Sequence, residues 1–180
     1  MITKQLKILF YKRYRGNPFK DSDPDYNQTA IRYEYVTYGG KPFSREITGA
    51  IENDMNCWIH PPRNSFFRIL ETNPFPYIKA PYVVGTKWNW KLKIRDVWSD
   101  KRWLEWKGDI ENTYEYEITD KREIETRVGK LDCFVIKSIA KSRIGNSELV
   151  SYFNEEFGFV KLDYKNIDGS ATVLELEKTK

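Results

Sequence analysis

The chain has 180 residues, 40% hydrophobic and 16% aromatic, with a formal charge of +4 and a mean hydropathy of −0.68. That length fits one domain with a substantial core, and no apolar run approaches the roughly 18 residues that a membrane-spanning helix needs. Six of the 30 basic residues (Lys4, Lys7, Lys12, Arg13, Arg15 and Lys20) stand in the first 20 positions with no acid, leaving 24 basic against 26 acidic residues elsewhere, so the body offers no coherent positive face for nucleic acid.

In chain order, residues 1–29 form a basic arm and loop, and residues 30–180 a single β-barrel-like domain. Within the arm, Leu6, Ile8 and Phe10 alternate like a strand, whereas Ile2, Leu6, Leu9, Phe10 and Arg13 fit a helical stripe. An edge strand or frayed arm is the simpler reading, and a membrane-surface or leader remnant the alternative. The apolar stretch Ile8–Tyr11 is shorter than the about 7–15 residues of a secretory h-region, so no export signal is expected in the chain as given. Residues 15–29 are dense in Pro, Asp and Asn and read as loop.

Ile31–Tyr38 and Phe43–Ile51 read as a hairpin around Gly39-Gly40, with Met55–Ile59 a further short strand stopped by Pro61-Pro62. Ser65–Thr72 is the helix candidate: Ser65 can cap it, Phe66, Ile69 and Leu70 form a stripe, and Asn73-Pro74 ends it. Pro74–Pro81 carries three prolines, which exclude a central strand and suggest a crossing segment packed through Phe75, Tyr77 and Ile78.

From Gly85 the pattern is a meander. Trp88, Trp90, Leu92 and Ile94 occupy alternate positions. Trp103–Lys107, Thr113–Thr119, Arg122–Val128, Cys133–Ala140, Leu149–Asn154, Phe159–Tyr164 and Ala171–Leu176 continue it. Tyr114, Tyr116 and Ile118 share one face, with Glu115 and Glu117 on the other. Short connections predict antiparallel neighbours. The expected fold is mostly β, an antiparallel meander of about eleven strands curled into an open or closed barrel, with one short helix.

Chemistry is sparse. His60 is the single histidine, so any Ser-His or Cys-His catalysis must pass through it, and it has no acidic neighbour in sequence. A structural histidine at a strand end is the simpler reading. No phosphate loop, nucleophile elbow or paired Cys-x-x-Cys occurs, and neither a metal nor a cofactor is expected. Cys57 and Cys133 read as buried thiols, although sequence cannot fix whether they pair. The tryptophans stand out: Trp88, Trp90, Trp98, Trp103 and Trp106 crowd one stretch. A concave aromatic sheet face suits a lipid or another hydrophobic small molecule, and the same rings could simply fill the core.

The segments Leu131-Asp132-Cys133-Phe134-Val135-Ile136 and Ser151 to Leu162 resemble uncharacterised β-rich proteins of bacterial envelopes, in which a Gly-x-x-x-Cys-x-x-Ile strand and an Asn-Glu-x-x-Gly-x-Val hairpin recur. The resemblance covers about residues 85–176. It implies an open, curved antiparallel sheet or half-barrel, similar to lipoprotein-carrier folds, wrapped over a short helical element. It also implies an exported, periplasmic or envelope location, and brings no catalytic residues.

Together these readings lead to a non-enzymatic envelope protein binding an apolar or amphipathic ligand through Trp88, Trp90, Trp98, Trp103, Tyr114 and Tyr116. The alternative is a structural or protein-interaction module with a filled core and an unknown protein partner. A hydrolase-type enzyme using His60 is the weakest reading.

Overall fold

A computed structural model describes residues 7–11, 28–37 and 39–177, with the side chains of 7–11 and 65 excluded. Most of the basic arm and the loop at 15–29 therefore lie outside the described residues.

Eleven strands form two antiparallel sheets among these residues. The first contains β1 (Lys7–Tyr11), β2 (Thr29–Val36), β3 (Pro42–Glu52), β4 (Asn56–Ile59) and β5 (Tyr77–Lys79), in that order. The second contains β6 (Lys87–Ile94), β7 (Ile110–Thr126), β8 (Gly129–Ser142), β9 (Gly145–Asn154), β10 (Gly158–Lys165) and β11 (Ala171–Glu175), each paired with its sequence neighbour. The sheets face one another and do not close into a barrel, so the open form of the expected meander holds. β4 and β5 lie over β6 and β7, where the Tyr77 ring is 5.6 Å from both Trp88 and Tyr116. β2 lies over β9 and β10, where Tyr33 and Tyr35 pack with Leu149 and Tyr164.

Alternation makes the second sheet. Along β7, Ile110, Asn112, Tyr114, Tyr116 and Ile118 are buried, whereas Glu111 and Glu115 are exposed. A register shift between Ile118 and Asp120 then breaks the phase, the usual effect of a bulge. The strands expected at Thr113–Thr119 and Arg122–Val128 are thus one 17-residue strand. Gly145 shows why a turn glycine is required here. Its φ is +136°, and a Cβ would meet Ile167 at 3.3 Å.

Three further expectations change. Trp103–Lys107 is not a strand; Lys101–Trp103 form a turn closed by a bridge between Asp100 and Leu104, and Trp106 turns inward to pack on Ile94 and Ile110. Within Pro74–Pro81, Tyr77–Lys79 pair with β4 as an edge strand, the one sheet position that flanking prolines tolerate. The helix has the expected bounds, Ser65–Thr72, but is 3₁₀.

Residues 60–76 form an insert between β4 and β5 that crosses the inner face of the second sheet. Leu70, Asn73 and Phe75 are almost wholly buried within it. The small inward residues Ser138, Ala140, Ser147 and Ser151 of β8 and β9 leave room for neighbouring bulk. The insert is fixed by polar anchors as well as apolar contact. The Thr72 carbonyl accepts from Asn112 Nδ2 (3.1 Å) and Ser147 Oγ (2.9 Å), Asn73 Nδ2 donates to Asn166 Oδ1 (3.1 Å), and Tyr116 OH donates to the Phe75 carbonyl (3.1 Å).

Candidate functional site

Two arrangements hold the residues that could bind or react. The first is the aromatic wall on the inner face of β6 and β7. Strand pairing sets Trp88 opposite Tyr116 and Trp90 opposite Tyr114, and both pairs stack, with centroids 5.2 and 5.0 Å apart. Cross-strand aromatic pairs of this kind stabilise a sheet beyond the area they bury. The facing layer completes the wall. Phe75 lies 5.5 Å from Trp90, 5.8 Å from Trp58, 6.2 Å from Tyr114 and 4.7 Å from His60.

Four of the six proposed ligand residues thus converge. Trp98 and Trp103 stand elsewhere. Trp98 lies at the end of a 3₁₀ turn over Asp96–Trp98, with the guanidinium carbons of Arg68 and Arg63 at 4.7 and 5.7 Å from its ring. Trp103 packs on the cluster of Tyr33, Tyr35 and Leu70, with Arg102 at 4.7 Å. A shallow surface groove of about 430 Å³ is lined by Asn89, Lys91, Thr113 and Glu115 of the outward face together with Trp90.

The second arrangement centres on His60, just beyond β4, and Glu71 in the insert's 3₁₀ helix. Sequence distance hid their contact, because the 3₁₀ turns bring Glu71 back over the chain that left β4. His60 Nε2 is 3.4 Å from Glu71 Oε1, and Arg63 Nη1 is 3.8 Å from the same oxygen. Glu46 on β3 accepts from the Arg63 amide at 2.9 Å and from the Tyr35 hydroxyl. Asn64 Nδ2 is bonded to Ser44 Oγ. Tyr33 OH donates to the His60 carbonyl at 2.7 Å.

Burial dominates the electrostatics. It pushes the Glu71 carboxyl up to about 7 despite Arg63 and Arg68, with Glu46 adding to the rise. It pushes His60 down to about 4, a shift that Arg63 deepens and the Pro61 carbonyl opposes. Glu71 Oε1 is buried without a hydrogen-bond partner, which is uncommon enough to require a cause. Glu71, Arg63, Phe75 and Trp58 were not singled out from sequence as site residues. The apolar stretch Cys57–Ile59 hinted at Trp58, but nothing local marked Glu71.

Both cysteines are free thiols, and burial raises Cys57 to about 12 and Cys133 to about 11, which makes them poor nucleophiles at neutral pH. Among the described residues, no three His, Cys, Asp or Glu side chains cluster as a metal site, and no helix is long and apolar enough to cross a membrane.

The outward face of β6 to β8 carries charge pairs: Lys87 with Glu117 at 3.4 Å, Lys91 with Glu111 at 2.7 Å, Lys93 with Asp109 at 3.0 Å and Lys141 with Glu115 at 2.7 Å. Lysines on a lipid-facing strand surface cost up to about 2–4 kcal/mol each, so this face suits water.

No protein-family model and no curated protein matches the chain. Two solved structures are similar. One, described as a "putative lipoprotein" from Parabacteroides distasonis, is 14% identical, with 85% of this chain and 79% of that chain covered at a TM-score of 0.49. The other, described as a "putative exported protein" with a YmcC-like fold from Bacteroides fragilis, is 12% identical, with 97% and 87% covered at a TM-score of 0.44. Likeness at this level assigns no role to any residue.

Proposed function

We propose that the protein is a non-enzymatic envelope module whose aromatic wall is its own core, acting by what it docks to and not by what it converts. The observation that carries this reading is the position of Phe75, whose ring meets Trp58, His60, Trp90 and Tyr114 and occupies the face a ligand would need. His60 is also hemmed in, with Nδ1 bonded to the Pro61 carbonyl at 2.7 Å and its side chain only 14% exposed. That weighs against a free general base. The envelope assignment draws on the resemblance carried by residues 131–136 and 151–162.

A second reading keeps the amphipathic ligand. It is favoured by how short the cover is, since β4 and β5 have four and three residues, and by the half-buried rim at Trp90 and Leu92. There a ligand would displace Tyr77 and Phe75 from Trp88, Trp90, Tyr114 and Tyr116.

Titration of intrinsic tryptophan fluorescence with a long-chain fatty acid and with a lysophospholipid below its critical micelle concentration separates the two. The filled-core reading expects no saturable change. A saturable shift that Trp90→Ala abolishes, while the variant retains its fold by circular dichroism, establishes the ligand reading instead.

A further inference from the structure

Within the insert that covers the aromatic wall, His60 and Glu71 meet through two atoms that can both act as acceptors. His60 Nδ1 lies 2.7 Å from the Pro61 carbonyl oxygen. A carbonyl only accepts, so Nδ1 carries a proton, and in the neutral ring Nε2 then carries a lone pair. Glu71 Oε1 lies 3.4 Å from that nitrogen and has no hydrogen-bond partner. A carboxylate there would repel the lone pair in a site where the Glu71 side chain is 5% exposed. One additional proton on the pair converts the repulsion into attraction.

We propose that Glu71 and His60 form a proton-sharing lock, in which a single proton carried by the Glu71 carboxyl and directed at His60 Nε2 holds the insert's 3₁₀ helix folded back over the residues that leave β4.

The groups facing the lock are consistent with a neutral pair. Arg63, in the loop after β4, approaches Glu71 Oε1 at 3.8 Å and also approaches Glu46 Oε2 of β3 at 4.0 Å. Its charge is thus divided between two acids. Arg68, on the insert itself, donates to the Val97 carbonyl at 2.6 Å and stacks on Trp98. From β7 the facing group is Tyr114, whose hydroxyl burial keeps protonated. From β2, Tyr33 and Tyr35 are held protonated in the same way.

A consequence follows for pH. Exposed, the pair at pH 5.5 holds one proton, on the imidazole. Seated, it also holds one, now on the carboxyl. Closing the insert moves a proton from His60 to Glu71 without net uptake, so the two residues' pH sensitivities oppose each other. Glu71, raised from 4.5 to about 7, favours opening as pH rises through that interval. His60, lowered from 6.5 to about 4, favours opening as pH falls through its own. Between about 4.5 and 6.5 the slopes cancel.

The test uses the single histidine, whose ¹⁵N imidazole signals are unambiguous, together with hydrogen exchange of residues 60–76 corrected for intrinsic rates. Expected are the Nδ1–H tautomer, a His60 midpoint well below 6.5, and an insert-opening constant flat from pH 4.5 to 6.5. Glu71→Gln should unmask His60, with opening falling up to about tenfold per pH unit as pH rises towards 6.5. His60→Gln should unmask Glu71, with opening rising about tenfold per unit towards pH 7. The Nε2–H tautomer, a midpoint near 6.5, or single variants as flat as the native protein would overturn the lock. If His60→Gln does not fold, the Glu71→Gln slope and the native tautomer decide.

Discussion

The two layers that meet at the aromatic wall are built on opposite terms. The second sheet is long-stranded, and the inward positions of β7 place Tyr114, Tyr116 and Ile118 in the core while Glu111 and Glu115 face water. The layer over it is short-stranded and interrupted by proline. Its insert is anchored by buried polar atoms: the Thr72 carbonyl, Asn73 and the Phe75 carbonyl. Apolar burial is additive and tolerant of small shifts. Buried polar anchors are directional and leave a penalty when one partner is removed. The sheet should therefore behave as the stable platform and the insert as the part that opens first.

The largest expected effect tests the platform. Tyr114 is fully buried, stacks on Trp90 and accepts at its hydroxyl from Asn112 Nδ2. Tyr114→Ala should destabilise by about 3–5 kcal/mol, on the order of a 10 °C fall in Tm for a chain of this size. Thermal denaturation measures it. A fall of only a degree or two would mean that the wall is not the main source of stability, and the contrast between the layers would fail.

The next effect tests the anchors. Asn112→Ala removes the Nδ2 donor to the Thr72 carbonyl and to Tyr114 OH. The expected loss is about 1–3 kcal/mol, two buried hydrogen bonds at about 0.5–1.5 kcal/mol each, while Ser147 Oγ still donates to the Thr72 carbonyl. Hydrogen exchange sharpens the comparison. Protection should fall selectively in residues 60–76, with β7 to β9 little changed. Uniform loss across both regions would show that the layers open as one unit.

The same contrast explains what sequence reveals. Period-two alternation is a local signal, so Trp88 to Ile94 and the inward face of β7 are readable from a few adjacent residues. Trp103–Lys107 has comparable aromatic content, yet there Asp100 accepts from the Arg102 amide at 3.0 Å and from its guanidinium, which fixes a turn that local propensity does not reveal. The union of the two expected strands in β7 has no local signal, because the phase break after Ile118 resembles a strand end. Around His60, legibility vanishes. Glu71 and Tyr33 reach it from other elements, Glu46 reaches its neighbour Arg63, and only the insert's path brings them together. A long-range polar site has no period to detect. The convergence of Trp88, Trp90, Tyr114 and Tyr116 was legible because all four lie on one paired-strand face, whereas Trp98 and Trp103 fall in the irregular connection from β6 to β7.

The smallest expected effect lies on the outward face, and it bounds the comparison from below. Lys141 Nζ is 2.7 Å from both carboxyl oxygens of Glu115. Both side chains are about half exposed, 47% and 48%, so water and salt screen the attraction and two flexible chains must be ordered to form it. A double-mutant cycle with Glu115→Ala and Lys141→Ala should give a coupling below about 1 kcal/mol, shrinking further in about 1 M salt. A coupling as large as the Asn112 effect would place structural weight on the solvated face, and burial would then no longer separate the contacts that hold this fold from those that only decorate it.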